Sequence, residues 1–145
     1  MKNSEILSVI GKILFPFILL LGFYIIFNGD ISPGGGFQGG TILATAFLTI
    51  YLVKSNNLLN TKLLIKVEKI LFILILAVSA ISFFTRGKLF TNFIPLYYDP
   101  YPKRMFLILL NILIGLKVAS GLIAVFTSFI DEFEYTDETA DNEQH

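Results

Sequence analysis

Charge is scarce in this chain. Only 15% of its 145 residues are Asp, Glu, Lys or Arg, against 54% hydrophobic, whereas soluble domains carry roughly a quarter charged residues. A soluble bundle with buried helices is excluded, because too little polar sequence remains to coat it. Eleven basic residues balance eleven acidic ones, so there is no basic footprint for nucleic acid. Cysteine is absent, which rules out disulfides and thiolate clusters and says nothing of compartment. The one histidine, His145, is the last residue and reads as a frayed end, not a ligand. There is no internal repeat, nucleophile–base pair, metal-ligand cluster or cofactor motif, so neither catalysis by the chain alone nor a cofactor is expected.

Apolar sequence is what the chain has. A bilayer core of ~30 Å asks for about 20 apolar residues per helix, and four runs meet or approach this: 9–27, 37–53 (at the short end), 63–84 and 105–130. The expected fold is all-α, a polytopic membrane protein with four transmembrane helices over 1–130, followed by an acidic tail, 131–145. The first run is too long for a signal peptide and no small-x-small site follows it; Lys12 lies near enough to its start to snorkel. Four spans put both termini on one side, with Lys2, Lys12, Lys54, Lys62, Lys66 and Lys69; Arg86, Lys88, Lys103 and Arg104 fall on the other. The positive-inside rule then favours cytoplasmic termini in a plasma membrane. The tail holds seven of the eleven acidic residues and reads as a solvated extension, with docking of a cytoplasmic partner as the alternative.

Between the runs, SNNLLNT (55–61) reads as a short polar turn that makes the second and third spans antiparallel neighbours. In 86–104, Pro95, Pro100 and Pro102 exclude a regular helix, and Tyr97, Tyr98 and Tyr101 suit an interfacial anchor loop. Ser79, Ser82 and Thr85 are expected to bond between helices.

The most unusual stretch is PGGGFQGGTILAT (33–45). A phosphate loop needs a preceding strand and a following Lys–Ser/Thr pair, and a flexible linker would be polar; neither description fits. Gly36, Gly40 and Ala44 recur every four residues, flanked by Gly35 and Gly39, and small residues at this interval let helix backbones approach closely in lipid. Pro33 suits the turn before the helix. The stretch reads as a tight turn feeding a slim helix packed on a neighbour, with anion binding at the helix start as an alternative. Thr41 and Thr45, beside the stripe, and Asn111 in the last run are candidate interhelical polar residues.

Lys117 sits at the midpoint of 105–130, about 18 Å from either end, beyond the reach of a snorkelling lysine. A charge there costs on the order of 2.5–3.5 kcal/mol, and something must offset it. Outside the tail the acids are Glu5, Asp30, Glu68 and Asp99, all near span ends or in loops. The expectation is therefore a partner in another subunit, or water in a hydrophilic path. Lys117 shares a helical face with Gly121, Ala124 and Ser128. It is an ion-path candidate, since buried lysines change protonation readily; the competing reading is a lysine paired across an interface for structure alone. On this view the slim second helix and Lys117 both need atoms from other chains.

The motif carried by Pro33, Gly34, Gly35, Gly36, Phe37, Gly39 and Gly40, after a first membrane helix, resembles the B-type small subunit of Mrp (Mnh) sodium/proton antiporters, a module also built into membrane-bound hydrogenases and related respiratory complexes. The resemblance covers essentially the whole chain, including NILIGLKVASGL in the last run. The family has a His just before the motif, where this chain has Asn28, Gly29 and Asp30. The QGG ending and IGLKV lean toward the hydrogenase-linked branch. The resemblance implies an accessory, non-catalytic subunit that contributes to a sodium path and to assembly. It also implies partners: other small Mrp-type subunits, a large antiporter-like subunit and, in a respiratory complex, hydrogenase-type subunits. Alternatives are a stand-alone Mrp antiporter subunit, a purely structural scaffold, and a self-contained small transporter; a lone central charge and no inverted repeat argue against the last.

Overall fold

The computed structural model describes residues 5–54, 60–90 and 101–142. Four helices run through them: α1 (Glu5–Phe27), α2 (Gly35–Lys54), α3 (Thr61–Arg86) and α4 (Tyr101–Asn142). Ile6–Phe27, Thr61–Thr85 and Arg104–Ile130 are long and apolar enough to cross a membrane. Among the described residues α2 does not reach that mark; four glycines and three threonines stand among its 20 residues.

Local chemistry sets the helix ends. Asn60 stands in extended backbone before α3 and accepts from the Leu63 N–H at 3.3 Å, satisfying one orphan donor. Gly87 closes the same helix in the left-handed region (φ 67°), and its N–H donates to the Phe83 carbonyl, an ending that favours glycine. The Ser82 hydroxyl donates to the Lys88 carbonyl at 3.0 Å, pinning the chain just past the cap. α4 starts at Tyr101, earlier than the expected anchor loop allows. Pro102 falls in its first turn, where the missing N–H costs no hydrogen bond. At the other end α4 continues through residues 131–142 of the acidic tail. Tyr97 and Tyr98, the turn residues 55–59 and His145 lie outside the described residues.

Helix packing follows three registers. α1 and α2 are antiparallel: Gly22 lies against Gly39 and Leu43, and the Phe15 and Phe47 rings meet edge-on at 5.7 Å. α2 and α4 are parallel, with Gly36 beside Asn111 and Gly40 beside Gly115. α3 and α4 are antiparallel, with the Thr61 and Thr127 hydroxyls 3.5 Å apart. α3 packs on α4 and not on α2 among the described residues, so the expected pairing of the second and third helices does not form; α3 lies beyond α4. The core of Ile26, Leu43 and Ala119, joined by Leu19 and Ile112, is where α1, α2 and α4 meet.

The slim α2 is thus served within its own chain. Gly36 and Gly40 admit α4; Gly39 admits α1. The expectation that it needs another chain is corrected here: two glycine rows, offset by one residue around the helix, give two close contacts instead of one. The threonines also differ from expectation. Thr41 donates to the Phe37 carbonyl at 2.9 Å and Thr45 to the Thr41 carbonyl at 3.0 Å, so both bond their own helix. Thr85 does the same, to Ile81 and Ser82. A hydroxyl reaches the carbonyl four residues back without needing a neighbour.

Candidate functional site

Three polar features stand along this bundle. The first is the turn joining α1 to α2. The Asn28 carbonyl accepts from the Ile31 N–H (3.1 Å), the Ser32 N–H (2.9 Å) and the Ser32 hydroxyl (2.9 Å). Gly34 (φ 98°) and Gly35 (φ 43°) then swing the chain into α2 through the left-handed region, which other residues enter at a cost. The Gly34 carbonyl accepts from the Gln38 N–H at 3.2 Å, closing the first turn.

Asn111 of α4 fills the space beneath that turn. Its Oδ1 accepts from the Gly36 N–H at 3.0 Å, and its side chain lies against Gly29 and Gly35. Helix starts leave N–H donors without intrahelical partners, and at membrane depth each must be satisfied by protein. Asn111 supplies that acceptor from 75 residues away. Asn111→Leu keeps the branched heavy-atom shape but is bulkier, and it strands the buried Gly36 N–H. It is expected to cost about 1–3 kcal/mol, read as a lower midpoint when the detergent-solubilised protein is unfolded.

The second feature is an ion pair at the same end. Arg104 Nε donates to Asp30 Oδ2 at 2.8 Å; the Asp30 side chain is 6% exposed and that of Arg104 55%. Asp30 Oδ1 is buried and has no hydrogen-bond partner among the described residues. Among the described residues, Asp30 depends on Arg104 for the bond its carboxylate receives.

The third corrects the reading of Lys117. Lys117 Nζ lies 3.0 Å from Glu68 Oε1 and 5.6 Å from the centre of the Phe72 ring. The ammonium meets a carboxylate and an aromatic face of its own chain, so no second subunit is needed to neutralise it. Register explains this. From the Thr61–Thr127 contact, Glu68 is about 10 Å along α3 and Lys117 about 15 Å back along α4, a gap the two long side chains close. Counting inward along a single run places Glu68 at a span end; the antiparallel register places it opposite the lysine. The sequence alone does not single out Glu68, although it is the one acid within Thr61–Arg86.

Of the stripe expected on the Lys117 face, Gly121 lies beside the Glu68 side chain, Ala124 is buried, and Ser128 donates to the Ala124 carbonyl at 2.8 Å. Pro33 and Phe37 are exposed at the turn and the first turn of α2, and Ala44 is fully packed.

A family model described as a domain related to the MnhB subunit of Na+/H+ antiporter matches residues 6–124. The chain belongs to this family. It is 36% identical over 72 residues to a putative antiporter subunit mnhB2 of Staphylococcus epidermidis, covering 50% of this chain and 51% of that protein. It is 34% identical over 132 residues to an uncharacterized protein of Methanocaldococcus jannaschii, covering 82% of this chain and 50% of that one. The chain thus spans about half the length of these curated relatives. Among solved structures it is similar to a chain of the membrane-bound sulfane sulfur reductase, an archaeal respiratory membrane complex. There the TM-score is 0.69 at 28% identity, over 87% of this chain and 57% of that one. MnhB membership and three membrane-length apolar helices together make this a membrane protein.

Proposed function

We propose that this MnhB-family chain is an accessory membrane subunit of an Mrp-type cation/proton antiport module, working inside a multi-subunit respiratory complex. In this reading all four helices cross the bilayer. α2 crosses because it is wedged between α1 and α4, where its glycines contact protein, while its threonine hydroxyls are satisfied by carbonyls of their own helix. The termini face the cytoplasm, as the lysine distribution favours. Partners are other small membrane subunits and a large antiporter-like subunit, with hydrogenase-type or other redox subunits driving the complex.

The observation that carries the reading is the Lys117–Glu68 pair. It sits between two helices of membrane length, where ionisable side chains are rare and commonly mark ion or proton pathways. A proton or cation arriving at such a pair changes its charge balance, which lets it pass on an electrostatic signal. The same pair supports a second reading, a scaffold subunit, because a lysine neutralised inside its own chain is able to hold α3 to α4 and do nothing else.

Lys117→Ala separates the two. If the pair belongs to the ion path, sodium-driven proton movement in membrane vesicles falls by about tenfold or more, the loss expected of about 1.4 kcal/mol or more in coupling. Assembly of the complex, read by native gel, is retained. If the subunit is a scaffold, transport per assembled complex stays at the wild-type level.

A further inference from the structure

The face of the bundle that carries the Lys117–Glu68 pair is open. Lys117 is 33% exposed and Glu68 28%, although both stand between segments of membrane length. α3 touches α4 alone among the described helices, so nothing covers the furrow between them from α1 or α2. Toward the end of the span, beyond Ala124, lies an open hollow of about 410 Å³ walled by Ile65, Ala124, Val125, Ser128, Phe129 and Glu132. Gly121 borders the Glu68 side chain at the level of the pair. An ion pair with a third of its surface bare loses hydrogen bonds if acyl chains surround it, and hydrocarbon offers none in return.

We propose that this α3–α4 furrow, with the ion pair in its wall, seats one membrane helix of a partner subunit. That helix presents small residues toward Gly121 and Ser128 and an uncharged hydrogen-bonding side chain toward Lys117 and Glu68. This rests on the subunit reading above and adds to it the location and chemistry of the contact.

Charge decides the chemistry. The pair sums to zero, and Glu132 of the hollow lies past the end of the Arg104–Ile130 span, so at the level of the pair a charged partner side chain would bring an unbalanced charge into a medium of low dielectric, whereas a hydroxyl or amide satisfies Nζ donors and carboxylate lone pairs. Shape decides the class of occupant. The surface is concave, and a two-fold contact between copies would set the same hollow against itself and leave both unfilled. A single ridge of side chains from another helix fills it. The packing force within a bilayer is close contact between small residues together with interhelical hydrogen bonds, and the furrow offers both.

The test uses the assembled complex with a photoreactive benzophenone amino acid placed at Ser128 or at Val125, which is 53% exposed on the rim. The control is Phe17 of α1, 66% exposed and on a helix that does not touch α3. The expected product from both furrow positions is an adduct whose peptide mass maps to a membrane-spanning segment of another subunit of that complex. Adducts with lipid alone, with a second copy of this chain, or with no protein, in a complex that still contains the chain, overturn the proposal and leave the subunit reading standing. If the unsubstituted chain is absent from any complex, the subunit reading falls and the proposal with it.

Discussion

Replacing Gly40 by valine is expected to pull α2 away from α4 and to unfold the bundle at a temperature where the parent protein is stable. A Cβ built on Gly40 runs into the Gly115 carbonyl oxygen, with the Gly115 Cα and the Val118 Cβ each 3.0 Å away. Two of the three obstacles are backbone, which no rotamer change moves. Overpacking a well-filled core costs typically about 1–3 kcal/mol. A branched side chain against two backbones belongs at or above the upper end, so alanine should already destabilise and valine more so. Gly121→Ala is the control: its added carbon would meet only the Glu68 Cγ at 3.6 Å, ordinary contact, and stability should be unchanged or somewhat raised, since alanine favours a helix interior over glycine. The readout is the unfolding midpoint of each variant in mild detergent. Equal midpoints for Gly40→Val and Gly121→Ala would refute the close contact.

Arg104→Ala should have the next largest effect. It removes the Arg104 donor from Asp30 Oδ2 and, among the described residues, leaves the buried carboxylate with no donor on either oxygen. Stranding a buried charged acceptor costs about 1–3 kcal/mol or more. The larger penalties known for fully buried pairs do not apply in full, since Arg104 is itself 55% exposed and water screens it. Adding Asp30→Asn to Arg104→Ala should restore much of the loss, because the amide carries no charge to leave uncompensated. A thermal-shift series on the two single variants and the double one measures this. Additive losses would mean the two residues do not act as a pair.

Much of this architecture was legible in the residues. Apolar runs separated by polar turns mark the helices, and glycines at fourfold spacing mark the thinnest one. Periodicity does not tell how many neighbours a thin helix serves. Gly36 and Gly40 make one row and Gly22 meets Gly39 on another, and which row faces which helix is a property of the folded bundle. Order along the chain also suggests α2 beside α3, whereas α4 takes the place next to α2. The polar site shows the same limit. Asn111 and Lys117 stand out because a polar residue in an apolar run is conspicuous. Glu68 and Asp30 are equally engaged but lie nearer the run ends, where acids are common; only the inter-helix register reveals their partners. The hydroxyls of Thr41 and Thr45 suggest interhelical bonds in the sequence, but a threonine in a helix satisfies itself on the preceding turn.

In the proposed function, the Lys117–Glu68 pair acts as one element of ion coupling within an assembled antiport module. The most direct measurement compares sodium-driven proton movement in vesicles holding the intact complex, the Lys117→Ala complex and the Lys117→Ala/Glu68→Ala complex, at matched amounts of assembled protein. Removing both partners leaves no stranded charge, so the double variant isolates function from stability. The predicted result is that both variants assemble and both lose coupled exchange. Wild-type exchange in the assembled double variant would contradict the account and leave the pair a fastening between two helices.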